Sequence, residues 1–95
     1  MKNVREVRSN GDVLWRQNGT YHREDGPAIT WSDGSQFWFR HGLAHREDGP
    51  MAEYSQAYAD KHYDGQRYQW WYNGVKLPCQ TSEEFERWKK LKLFW

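Results

Sequence analysis

The chain has 95 residues and a formal net charge of +1, and it carries seven tryptophans, six tyrosines and four phenylalanines. That is enough for one small domain, residues 1–95, whose core must be largely aromatic and whose buried surface is limited. The charge balance gives no bulk attraction to nucleic acid or to anionic lipid, and no stretch is apolar enough to span a membrane.

The N-terminal stretch "MKNVREVRSNG" has no apolar run, so no secretory signal is expected. A lone cysteine, Cys79, leaves no intramolecular disulfide, and a reducing, cytoplasmic setting is the expectation. β-Rich runs follow at Val13–Gln17, Ala28–Trp31, Gln36–Arg40 and Arg67–Tyr72. They are separated by two sets of dipeptides that favour tight turns. Asn10-Gly11, Asp33-Gly34 and Asp64-Gly65 make one set; Asn18-Gly19, His41-Gly42 and Asn73-Gly74 make the other. Asn-Gly and Asp-Gly between such runs predict hairpin tips, because type I′ turns need positive φ. The reading is an antiparallel meander of repeated β-hairpins, about six strands, closed by one C-terminal helix.

The repeat is explicit. His22-Arg23-Glu24-Asp25-Gly26-Pro27 recurs 23 residues on as His45-Arg46-Glu47-Asp48-Gly49-Pro50. Trp15, Trp38 and Trp70 take equivalent places in three units. A histidine, an arginine and two acids in a row suggest a metal or catalytic site. Such a site needs ligands converging on one point, whereas copies at the same place in successive units stand side by side. The expectation is therefore structural. Asp25 and Asp48 suit turns in which a carboxylate accepts backbone N–H groups. His22 and His45 offer a ring and an N–H. Arg23 with Glu24, and Arg46 with Glu47, are placed to form ladders between units. No CxxC, HExxH or P-loop is present, and Cys79 lacks an activating base in sequence. No catalytic residue, cofactor or metal is expected.

Two features remain for function. Side chains alternate along a strand, so Trp15, Trp38 and Trp70 line one face, and Arg16, Phe39 and Trp71 the other. The second is an insertion near residues 52–63, which brings Tyr54, Tyr58, Asp60, Lys61, His62 and Tyr63 onto one excursion. Tyrosine gives large contact area for little entropy. Phe39, Tyr54, Tyr58, His62, Tyr63 and Trp71 are thus the candidate partner-binding residues, and the insertion is expected to lie beside Phe39 and Trp71. Exposed aromatics could also stack the bases of a single-stranded nucleic acid. Against that, acids nearly equal bases. Basic residues concentrate only at Lys2/Arg5/Arg8 and Arg87/Lys89/Lys90/Lys92.

Residues 81–95 read as a helix. Thr81 and Glu84 form a capping box, Glu83–Arg87 and Glu86–Lys90 are spaced for i,i+4 ion pairs, and acids precede bases along the axis. Phe85, Trp88 and Leu91 make an apolar stripe, extended by Phe94 or Trp95, to cap the sheet.

The segment "NGTYHREDGPAITWSDGSQFWF" resembles the MORN-like (MORN-variant) repeat of small bacteriophage proteins, built on units W-Y-x-N-G-x-x-H-R-x-D-G-P-A. The likeness covers residues 6–77, and "TSEEFERWKKLK" is similar to the helical end such proteins carry. This chain departs from the pattern in three places. His41 stands where Asn is usual, the insertion interrupts "EYSQAYADKHYDG", and the third unit runs Val75-Lys76-Leu77-Pro78 without HREDGP. The resemblance implies a hairpin-repeat sheet, a phage origin and a bacterial host protein as partner. It implies no activity.

Overall fold

A computed structural model describes residues 3–92, and among these the chain forms eleven short strands and two helices. The strands are β1 (Val4–Val7), β2 (Val13–Gln17), β3 (Thr20–Tyr21), β4 (Ile29–Thr30), β5 (Gln36–Phe37), β6 (Phe39–Arg40), β7 (Leu43–Ala44) and β8 (Ala52–Glu53). Helix α1 (Gln56–His62) comes next, then β9 (Tyr68–Gln69), β10 (Trp71–Tyr72), β11 (Val75–Lys76) and helix α2 (Ser82–Lys92). The main sheet is antiparallel, in the order β1-β2-β4-β5-β8-β9, with β3 also on β2; β6–β7 and β10–β11 are separate ribbons. The fold is a mostly β meander ending in a helix. Lys2, Phe94 and Trp95, named above, lie outside the described residues.

The strand runs break at Trp38 and Trp70, whereas β2 continues through Trp15. Trp38 donates its N–H to the Met51 carbonyl (2.9 Å) and accepts from the His45 N–H (3.1 Å). Trp15 does the same with Ala28 (2.7 Å) and His22 (3.1 Å). Each tryptophan is therefore a branch point. The residues before it pair with the return strand, and those after it pair with the next short strand, which at Trp38 and Trp70 forms a separate two-stranded ribbon and at Trp15 stays in the main sheet as β3. This accounts for six strands on the main path and the additional short ones off it.

The ribbon turns use both residues at positive φ: Asn18-Gly19, His41-Gly42 and Asn73-Gly74, with Asn or His near 50°. That is the type I′ pattern. The other turns differ from the sequence reading. At Asn10-Gly11 and Asp33-Gly34 only the glycine has positive φ. There the side chain accepts an N–H two residues on, Asp12 to Asn10 Oδ1 at 3.0 Å and Ser35 to Asp33 Oδ1 at 2.8 Å. Asp64-Gly65 is not a hairpin tip: Gly65 donates to the Ala59 carbonyl and ends α1.

Register sets the two faces. Leu14, Ile29, Phe37, Ala52 and Gln69 lie in one row, and Val13, Thr30, Gln36, Glu53 and Tyr68 in the other. The first row carries the main core, where Phe37, Met51, Ala52 and Tyr54 pack with Ala59 of α1. Trp70, alternating with Gln69, belongs to the opposite side and packs with Leu77 and Phe85 of α2. Phe85 is 1 % exposed, and its burial contributes about 1.5–3 kcal/mol. The α2 start keeps one half of the predicted capping box: Glu84 N–H donates to Thr81 Oγ1 (3.1 Å), while Glu84 Oε1 accepts from the Gln80 N–H (3.3 Å) and the Thr81 hydroxyl (3.3 Å). Two details of α2 differ from expectation. Glu86 pairs with Lys89 at 3.0 Å rather than with Lys90, and Leu91 is exposed rather than part of the buried stripe.

Candidate partner-binding surface

The side chains of the repeated hexapeptide meet partners inside the scaffold. His22, 1 % exposed, accepts the His41 N–H on Nδ1 at 2.9 Å; His45 accepts the Asn73 N–H at 3.0 Å. Both donors are first residues of the next unit's ribbon turn. The second residue of each turn donates just upstream of the same histidine, Gly42 to the Tyr21 carbonyl (2.9 Å) and Gly74 to the Ala44 carbonyl (2.8 Å). One turn therefore plugs two N–H groups into the unit before it. With Nδ1 accepting, the ring proton sits on Nε2, which lies 3.4 Å from Glu47 Oε1 in the second unit.

The arginines are clamps. Arg23 lies 4.5 Å over Trp15, bonds Asp25 Oδ1 at 2.9 Å and reaches the Pro27 carbonyl at 3.3 Å. Arg46 lies 3.8 Å over Trp38, bonds Asp48 Oδ1 at 2.8 Å, the Pro50 carbonyl at 3.0 Å and Glu53 at 3.3 Å. Gly26 and Gly49 are glycine for lack of space: a Cβ would sit 3.0 Å from the Arg23 or Arg46 Cζ. These contacts correct two expectations. Asp25 and Asp48 serve the guanidinium, whose hydrogen bond holds each carboxyl below the usual carboxylate range. The arginines pair within their own unit, and the histidine-to-backbone bond links the units instead of an Arg–Glu ladder.

The insertion folds as α1, which the sequence reading did not foresee. Ser55 caps it, accepting the Tyr58 N–H (3.2 Å) and donating to Asp33 Oδ2 (3.0 Å), while its own N–H goes to the buried Ser35 Oγ (2.9 Å). Burial opposes ionisation of Asp33, but the Ser35 and Ser55 donors outweigh it, and its carboxyl stays below the usual range. Ser-x-x at 55–58 with helix formers after it was the available signal. The cap, however, depends on residues 20 or more positions away.

This packing redistributes the candidate residues. Tyr54 is a core residue, 8 % exposed, with ring neighbours Trp31, Phe37, Tyr58 and Tyr63. Its phenol is pushed well above the usual range, first by burial and then by the Tyr63 hydrogen bond. It is not the surface contact expected of it. Tyr58 is half-buried, against Trp31 (5.3 Å) and His62 (4.3 Å). Phe39 and Trp71 are half-buried against the main core, and Phe39 sits 5.7 Å from Tyr21. His62 and Tyr63 remain exposed.

Sequence reasoning missed Tyr68. Among the described residues, Tyr63 and Tyr68 are the only exposed aromatics, and both line one groove of about 460 Å³. The groove runs between the end of α1, β9 and the Lys76–Gln80 connection. Cys79 also lines it; burial, then Glu84, pushes its thiol up, away from nucleophilic use. Among the described residues no three His, Cys, Asp or Glu side chains are grouped as metal ligands, and no helix is long and apolar enough to cross a membrane. No protein-family profile, curated protein or solved structure matches the chain.

Proposed function

We propose that this chain is a non-enzymatic protein-binding module. On its resemblance to the MORN-like phage repeats, it is a phage-encoded inhibitor of a bacterial host protein or host defence complex, acting in the host cytoplasm. One observation carries the binding reading: the two exposed aromatics face the same groove, at the insertion where the chain departs from its own repeat. Exposed tyrosines grouped in a concave surface favour a protein partner. The alternative, a sheet that stacks single-stranded bases, draws less support. Arg23 and Arg46 cover Trp15 and Trp38, the ring faces a base would need, and their charge is met by Asp25 and Asp48.

The test is capture on immobilised chain from nuclease-treated bacterial lysate at moderate salt. A stoichiometric host protein is expected, lost with Tyr63→Ala while circular dichroism shows the chain still folded, at a melting temperature lowered by the lost Tyr54 contact. Recovery of nothing but oligonucleotide from untreated lysate, with salt-resistant binding, refutes the reading.

A further inference from the structure

We propose that the outer edge of β9 takes an extended segment of a partner protein as an added antiparallel strand, which completes the third repeat. This rests on the protein-binding reading above and names how the partner is held. Tyr54 donates to the Arg67 carbonyl, and Ala52 pairs with Gln69, so the backbone groups of Arg67 and Gln69 face β8. Those of Tyr68 and Trp70 therefore face outward. The outward carbonyls are occupied: Tyr68 accepts from Gln66 Nε2 (3.2 Å), and Trp70 accepts from the Leu77 N–H (2.8 Å). Among the described residues nothing takes the Tyr68 or Trp70 N–H. The edge thus presents two donors, two residues apart.

The chain itself shows what fits there. In the second unit the same positions are Gln36, paired with Glu53, and Trp38, whose N–H reaches the Met51 carbonyl. In the first they are Val13, paired with Thr30, and Trp15, bonded to Ala28. A return strand fills the edge both times, with sequence Ala28-Ile29-Thr30-Trp31 or Met51-Ala52-Glu53-Tyr54. The third unit has no return strand, because its chain turns at Pro78 into α2. The partner segment is accordingly an extended run, apolar at the two positions opposite Trp70 and Gln69, polar opposite Tyr68, then aromatic. It continues the ladder β5–β8–β9 already built. Tyr63 on one side, and Leu77 with Cys79 on the other, line the groove of about 460 Å³ along this edge. The free edge of β1 belongs to no repeat unit and offers no such template.

The probe is a synthetic peptide with the sequence of residues 25–32, DGPAITWS, the chain's own occupant of the first edge. At millimolar peptide the Tyr68 and Trp70 amide resonances are expected to shift, and their exchange with solvent to slow about tenfold or more. Tyr68→Pro removes one donor at an edge position that tolerates proline and is expected to abolish the shifts, while Tyr68→Ala keeps them. A peptide with proline in place of its threonine, whose backbone groups would face Tyr68 as those of Thr30 face Val13, should not bind. Unchanged Tyr68 and Trp70 amides, or shifts confined to β1, overturn the proposal. So does a dimer in sedimentation that Tyr68→Pro returns to monomer, since a second copy is then the occupant. If folded Tyr68→Pro still captures a host protein that Tyr63→Ala loses, the edge is wrong but the binding module stands. Failure of every capture removes the module itself.

Discussion

His45→Leu tests how the units are joined. The position has a built-in precedent: the third unit, which leads into α2, carries Leu77 where the others carry His22 and His45. Each of these residues donates its N–H to the branch tryptophan, Leu77 to Trp70 at 2.8 Å. Leucine is therefore compatible with the backbone there. What it cannot do is accept the Asn73 N–H, which now reaches His45 Nδ1 at 3.0 Å from a ring only 5 % exposed. Losing that bond and stranding the donor costs about 1–3 kcal/mol. Asn73 sits at an exposed turn where water can replace part of the bond, so the lower half of that range applies, about 1–2 kcal/mol. For a domain of this size that lowers the melting temperature by about 5–15 °C. Urea denaturation should show a lower midpoint at an unchanged slope. Amide exchange should quicken at Asn73 and Gly74 before the rest of the sheet. A variant that melts at or above the parent, with the Asn73 amide still protected, would refute the inter-unit bond as a source of stability.

Three further outcomes follow from the same geometry. Gly49→Ala places a Cβ 3.0 Å from the Arg46 Cζ, so the guanidinium must shift by a few tenths of an ångström against Trp38 and the Pro50 carbonyl; a loss of about 0.5–1 kcal/mol is expected by thermal denaturation, and none is expected when Arg46 is already alanine. Asp33 is held below the usual carboxylate range, so its contribution is complete above that range and is lost as pH falls through its lowered native value; melting temperature measured downward from about pH 5 should fall less steeply in Asp33→Asn, and parallel curves would sink the idea. Trp70 Nε1 is a buried donor without a partner among the described residues, so Trp70→Phe should cost less stability than Trp38→Phe, which loses the Arg46 stack; equal costs would count against this account.

How much was legible in the sequence follows from the range of each interaction. The ribbon turns at Asn18-Gly19 and Asn73-Gly74 and the α2 cap at Thr81–Glu84 are set by residues within four positions of each other, and the pattern located them. The branch at each tryptophan was not readable, because it depends on where the return strand and the histidine segment bond. α1 was hidden for the same reason: its cap serine is held by Asp33 and Ser35, in the hairpin before. Tyr54 and Tyr63 look alike in the insertion, yet one packs under Trp31 and the other faces solvent. The histidine of HREDGP was readable as a repeated element, but its acceptor role spans 19 and 28 residues and lies in no local spacing.

The third unit shows how the repeat pattern can end and still leave one sheet edge open. Three substitutions end the pattern together. Leu77 removes the acceptor a following turn would need, Phe85 of α2 packs on Trp70 where an arginine clamps its counterparts, and Pro78 begins the path away from the sheet instead of back into it. The first two close the array with apolar contacts, as the last unit of a repeat array requires. The third does the opposite, since a return strand is what covers the edge in the earlier units. An array that only needed capping could have kept that strand. Diverting it into a helix buries Trp70 and in the same step leaves Tyr68 and Trp70 with outward N–H groups, on the strand whose Tyr68 lines the groove with Tyr63. Closure of one face and opening of one edge are thus two results of a single change in chain direction.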